Sequence, residues 1–258
     1  MIFRCFFRLL FCCFWLFFAL GQISFAQDHA TSFFTAEKPA DPAQDMIAPQ
    51  IRQLDDDSFK IGEVFLNKKD RFIRINGKIN MSDGLIEYLG CTPEGKVHES
   101  VLVLDAQPYH IQVALLLLGL VPGDQPIEFQ GAPQTPCGSP VQLLISWQSN
   151  GKTIEVLPEQ LVMNIESKHP MAKTNWIFTG SITENQTFMA QKEGSIIAVY
   201  HDPVALIDHI GQDGTNDVMM HANKQLLPPV GTPVILKIFP HPDPAVKQLT
   251  QCQKPKQR

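Results

Sequence analysis

From Phe59 onward the chain breaks into short strand-like runs divided by glycine, proline and polar turn residues, and this punctuation narrows the available folds more than any other feature. Residues 59–66 and 71–79 flank Asn67-Lys68-Lys69-Asp70 and read as a hairpin. In the second run Phe72, Ile73 and Ile75 alternate imperfectly with Arg71, Arg74 and Asn76, which predicts one wet face. Residues 85–89 and 101–104 are two further short strands, and Cys91-Thr-Pro-Glu-Gly-Lys96 between them carries the proline and glycine that end a strand and turn the chain. Residues 141–147 and 153–156 flank Ser149-Asn150-Gly151, whose Asn-Gly pair is a strong hairpin signal. Strands are also expected at 176–180, 187–190, 196–200 and 234–239, with a short one at 127–129 inside the proline-rich, irregular stretch 122–140.

Helical signals are fewer. Pro108 opens the strongest, with Ile111, Ala114, Leu115, Leu118 and Leu120 about a turn apart and Gly119 near the end. Nearly every face of that helix is apolar, which predicts burial at the centre of the domain. His201-Asp202-Pro203 reads as a second helix start, Asp202 capping and Pro203 at the first helical position, with Ala205, Leu206 and Ile207 following. Residues 158–163 can form a helical turn. The fold class expected is α+β: one β-rich domain over residues 58–240, of mainly antiparallel short strands, with one buried apolar helix and one or two short helices.

The remainder of the chain is read as processing signal and flanks. Arg4 and Arg8 precede an unbroken apolar run at 9–20, too short to span a bilayer, and Ser24-Phe25-Ala26 offers small residues to a signal peptidase. Residues 1–26 are therefore expected to be a signal peptide cleaved between Ala26 and Gln27, leaving no membrane span and placing the protein in the periplasm or outside the cell. Residues 27–57 form a polar leader, and 241–258 a loose basic tail with Lys247, Lys254, Lys256 and Arg258. Without its signal the chain has 19 basic against 26 acidic residues, a net −7. That balance argues against nucleic acid or anionic membrane surfaces as partners.

Only Cys91, Cys137 and Cys252 remain after cleavage, which suggests one bridge and one leftover thiol. Cys91 with Cys137 is the expected pair, since Cys252 lies in the polar tail.

Several segments together resemble the YdjY-domain family of exported bacterial proteins: Gly84-Leu-Ile-Glu-Tyr-Leu89, Cys91-Thr-Pro-Glu-Gly-Lys-Val-His-Glu-Ser100, the helix ending Ala114-Leu-Leu-Leu-Leu-Gly119, Trp176-Ile-Phe-Thr-Gly180, Asp202-Pro-Val-Ala-Leu-Ile-Asp208 and Pro228-Pro-Val-Gly-Thr-Pro-Val234. The resemblance covers most of the mature chain and implies a family without an assigned biochemical role. Members are sometimes labelled ferredoxin-like, but three thiols with no Cys-x-x-Cys pair cannot hold an iron–sulfur cluster, which is rejected here.

Three constellations could carry chemistry. Cys91, His98 and Glu99 offer ligands for zinc or copper, although six residues between Cys91 and His98 is no recurrent metal spacing and adjacent residues on an extended segment point apart. Cys91 or Ser100 could act as nucleophile with His98 or His110 as base, but no Gly-x-Ser-x-Gly elbow is present. His201 with His209, or Asp208 with His209, could meet around the short helix, yet Asp202 and Asp208 are sufficiently explained as cap and turn residues. Asp213 to Asp217 lacks the closing glutamate of an EF-hand and reads as a turn. With no complete catalytic motif, the expectation is a non-catalytic envelope module that needs no cofactor and binds another envelope component. Its expected working end carries the 91–100 turn and the 122–140 loop. The alternative is a metal or redox protein centred on Cys91 and His98.

Overall fold

The computed structural model describes residues 50–243, 245 and 246. The Ala26–Gln27 cleavage point, nearly all of the leader, most of the basic tail and Cys252 lie outside the described residues.

Alternating side chains lead directly into the architecture. The strands β1 (Ile51–Gln53), β2 (Ser58–Ile61), β3 (Val64–Asn67) and β4 (Phe72–Ile79) follow one another as an antiparallel meander. Along β4, Ile73, Ile75 and Ile79 are buried while Arg74, Asn76 and Lys78 are exposed, as a half-wet strand requires. Then come β5 (Tyr88–Cys91), β6 (Ser100–Leu104), the helix α1 (Pro108–Leu117), β7 (Ser139–Ser149) and β8 (Lys152–Val156). After them follow β9 (Val162–Asn164), β10 (His169–Pro170), β11 (Trp176–Phe178), β12 (Thr183–Glu184) and β13 (Thr187–Phe188). The short helix α2 (Met189–Glu193), β14 (Ser195–Ala198), β15 (Ile207–His209), β16 (Met220–Ala222) and β17 (Pro233–Pro240) complete the order.

Eight of these strands close on themselves in the order β4-β17-β7-β11-β15-β14-β5-β6, with β6 returning to β4. The interior is layered: Leu236 of β17 stands between Ile75 and Ile145, and Ile238 between Ile73 and Leu143. At the closing seam Gly77 of β4 faces Leu104 of β6. Leu104 fills the space that Gly77 and Gly90 leave open, since a Cβ on Gly77 would stand 2.5 Å from the Val103 carbonyl oxygen and one on Gly90 3.1 Å from a Leu104 methyl.

The closed barrel overturns the expected α+β arrangement of antiparallel sheets carrying helices. The β-rich character holds, but two of the eight seams, β5 with β6 and β14 with β15, are parallel. Each parallel pair is joined by only eight residues, 92–99 and 199–206, far fewer than a helical crossover takes. The segment after Cys91 is therefore not a hairpin turn; it passes a short 3₁₀ turn at Val97–Glu99 and re-enters alongside its starting strand. The helix expected after Asp202 does not form, because Leu206 and Ile207 are drawn into the barrel beside Phe178 and Ile197. Its cap survives: the Asp202 carboxylate accepts the Val204 N–H at 2.9 Å. The short helix falls instead at α2, where a strand was expected.

Helix α1 is not the buried centre either. It lies on β2, β3 and α2, burying Pro108, Ile111, Ala114 and Leu115 while Leu116 and Leu117 stay 44% and 41% exposed. The barrel interior occupies the place the all-apolar helix was expected to fill. The run at 59–66 is folded in two at Gly62, whose φ of 56° suits glycine, and residues 127–129 form no strand. The Asn150-Gly151 hairpin joins β7 to β8 as expected, both residues at positive φ. Among the described residues no helix is long and apolar enough to cross a membrane.

Candidate functional site

Both short parallel crossovers carry the residues that drew attention in the sequence, but they differ in what they build. In the first, Cys91 is a free thiol with no exposed surface, and burial raises its pKa, which keeps it protonated and unreactive. His98 points outward, its side chain 77% exposed, and meets Glu99 at 3.7 Å. Cys91, His98 and Glu99 do not assemble into a ligand set. Cys137 is disulfide-bonded while Cys91 is free, so the expected Cys91–Cys137 bridge is not formed. Buried Ser100 donates to the Lys96 carbonyl at 2.8 Å rather than to a histidine. His110 belongs to another part of the surface, packed on Gly62, so no nucleophile–base pair forms among these residues.

The second crossover builds a buried polar network. His201 Nδ1 and Asp208 Oδ1 are 2.8 Å apart, and Asp208 also accepts the backbone N–H of His209 at 2.6 Å and of Asp202 at 3.3 Å. Asp202 accepts the Tyr88 hydroxyl at 2.5 Å, and Lys96, from the first crossover, donates to the same Tyr88 oxygen at 2.7 Å. Burial is the main reason that the pKa values of Asp202 and Tyr88 are raised. Lys96, Tyr88 and Asp202 thus bind the two crossovers together. Tyr88 on β5 and Asp208 and His209 on β15 sit on strands buried on both faces, so these polar groups can be tolerated only because they find hydrogen-bond partners within the network.

His201, Asp208 and His209 are the one group of metal-capable side chains among the described residues, their ligand atoms within 4.8 Å of one another. Their hydrogen bonds argue against a metal there. His209 Nε2 faces the Val199 carbonyl at 2.8 Å and its Nδ1 accepts the Gly211 N–H at 3.1 Å, which uses both ring nitrogens and sets the tautomer. His201 already spends Nδ1 on Asp208. The cluster reads as a structural clamp.

This clamp makes stability depend on pH. Burial holds the His209 pKa below its ordinary 6.5, with Asp208 opposing. An unfolded histidine takes up its proton near 6.5, so the contribution of His209 is complete above that value and is lost as pH falls toward the folded pKa. Asp202 works in the opposite sense: raised by burial, its contribution is complete below the ordinary carboxylate value and lost as pH rises through the folded one. Comparing urea midpoints of the chain and its His209→Gln variant at about pH 7.5 and about pH 5.5 isolates the imidazole. The midpoint should drop more steeply on acidification in the parent; parallel losses in both proteins would refute the assignment.

An open cleft of about 840 Å³ lies beside the start of the first crossover. Its walls come from the β2–β3 turn (Glu63), the crossover (Thr92 and Glu94), the β6–α1 connection (Asp105) and the first turn of α1 (His110). The β12–β13 hairpin and α2 complete it with Gln186, Gln191 and Lys192. Burial lowers the His110 pKa, so its ring is neutral at neutral pH. Thr92 and Glu94 belong to the 91–100 turn expected at the working end and His110 was a candidate base, whereas the 122–140 loop expected beside that turn does not line the cleft and the other groups were not singled out in the sequence. Glutamates, aspartates and glutamines at turns look like ordinary solvated positions, and only the meeting of four chain segments makes a wall of them.

No curated protein and no solved structure matches the chain. The family model described as the YdjY domain matches residues 64–239, from β3 to the penultimate residue of β17 and thus through all eight barrel strands. By that match the chain belongs to the YdjY-domain family, whose function is unassigned.

Proposed function

We propose that this protein is an exported, non-catalytic module of the cell envelope that holds a ligand or an envelope partner in the cleft beside residues 92–94. The observation that carries the reading is the cleft itself. A volume of about 840 Å³ falls within the roughly 300–1,000 Å³ usual for ligand sites, and its polar side chains project from turns and helix starts around a rigid barrel. The titratable groups of the second crossover, in contrast, are sealed: His201, Asp202, Asp208 and His209 are at most 4% exposed. Export rests on the N-terminal sequence, with its two arginines, apolar run and small residues before Gln27.

The test is site-specific photo-crosslinking of the full chain in its own cell. A photoreactive residue at exposed Gln186, on the cleft rim, should yield a discrete adduct of a chain whose N-terminus is Gln27. The same residue at exposed Glu155 on β8, away from the cleft, should yield none. Equal labelling from both positions, labelling from neither, or an adduct confined to the cytoplasm would overturn the proposal.

A further inference from the structure

Cys137 is disulfide-bonded and Cys91 is a free, buried thiol, so the partner of Cys137 is one of the remaining cysteines, Cys5, Cys12, Cys13 or Cys252. The first three lie in the apolar N-terminal segment that a signal peptidase would remove. The course of the chain favours the fourth. β17 runs antiparallel to β7 and pairs Pro240 with Val141, and the His241 N–H donates to the Pro140 carbonyl at 3.0 Å. The chain therefore leaves the barrel alongside the segment that leads back from Pro140 to Cys137. Between His241 and Cys252 the sequence supplies enough residues to reach roughly 35 Å when extended, against at most about 10 Å from Pro140 to Cys137. The tail can thus bring the two Cα atoms to the roughly 5.5 Å a disulfide needs without moving the barrel.

Resting on the reading of the chain as exported, we infer that Cys137 is bonded to Cys252 and that this bond fastens the C-terminal tail to the barrel next to the buried clamp. Cys137 is only 8% exposed. Together with Thr179, Ser181, Asp202 and Asp208 it lines a small cavity of about 20 Å³, room for about one water. The anchored sulfur therefore borders the same carboxylates on which the second crossover depends. An exporting compartment supplies the chemistry: the Sγ–Sγ bond forms as both S–H bonds break, and the two protons and two electrons pass to a protein disulfide of that compartment, whose own S–S bond opens to two thiols.

The experiment purifies the full chain from its own cell, blocks free thiols in denaturant without reductant, and maps the N-terminus and the linked peptides by mass spectrometry. A monomer beginning at Gln27 should carry one blocked thiol, at Cys91, and one linked pair, Cys137 with Cys252, that separates on reduction. Cys252→Ser should release the Cys137 thiol. In that variant the Asp202 and His209 amides, which donate to Asp208, should exchange with deuterium about tenfold faster. Cys137 reduced, joined to Cys91 or linking two copies, in a chain that begins at Gln27, would overturn the inference and leave export standing. Cys137 joined to Cys5, Cys12 or Cys13 in a chain that keeps its N-terminus would overturn both. The Cys137–Cys252 pair in an uncleaved chain would uphold the bond and overturn the cleavage. Equal exchange in Cys252→Ser and the parent would overturn the tail's hold on the clamp.

Discussion

Replacing Asp208 by alanine should lower the unfolding free energy by about 3–5 kcal/mol, the scale expected when one partner of a buried charged network is removed. The carboxylate accepts from three directions, the His201 ring and the backbone N–H groups of His209 and Asp202. It has 1% of its surface exposed, so no water replaces it cheaply. Alanine leaves two backbone donors and an imidazole buried without an acceptor, each at the full cost of desolvation. Asn at the same position keeps one acceptor oxygen and should recover part of the loss. Urea unfolding measures both, and a loss below about 1 kcal/mol for Asp208→Ala would mean that the network contributes little.

Leu104→Ala should cost about 2–5 kcal/mol, the range for a buried leucine whose cavity cannot collapse. Leu104 has no exposed surface and fills the space over Gly77 and Gly90, where the β6–β4 seam closes the barrel. The complementary change works through the opposite fault. Gly77→Ala places a methyl 2.5 Å from the Val103 carbonyl oxygen, so the seam must open to admit it; overpacking of this kind costs about 1–3 kcal/mol. Because the two residues share one space, the double variant Gly77→Ala/Leu104→Ala should not show the sum of the single losses. Strict additivity in denaturant midpoints would count against the closing seam described here.

How much of this was readable in advance follows from what each signal depends on. The alternation along β4 and the Asn150-Gly151 hairpin are local: a period of two and a pair of positive-φ residues are written in a few adjacent positions, and both appear where expected. The apolar runs that became β5, β6 and β14 carry no such period, because strands covered on both faces lose the polar half of the pattern. Without a period there is no sign of direction, and a proline and a glycine after Cys91 look the same in a hairpin as in a short parallel crossover. The Asp202-Pro203 helix start failed for a related reason. Its local cap is real, but four residues after Pro203 the strands β11 and β14 offer Ile207 partners that a short isolated helix cannot match.

The candidate sites divide along the same line. Cys91, His98 and Glu99 are neighbours in the chain, and a buried thiol beside an outward imidazole separates them in space. Tyr88 and Asp202 are 114 residues apart and meet at 2.5 Å. The sequence by itself determined the β-rich character, the hairpins, the membership of the YdjY-domain family and the acidic balance, since each rests on composition, short periods or ordered motifs. Tertiary structure alone decided the closure of the barrel, its two parallel seams, the sealed clamp and the open acidic cleft. Those depend on which distant strands share hydrogen bonds and which side chains lose water, and contacts of that kind leave no mark at short range along the chain.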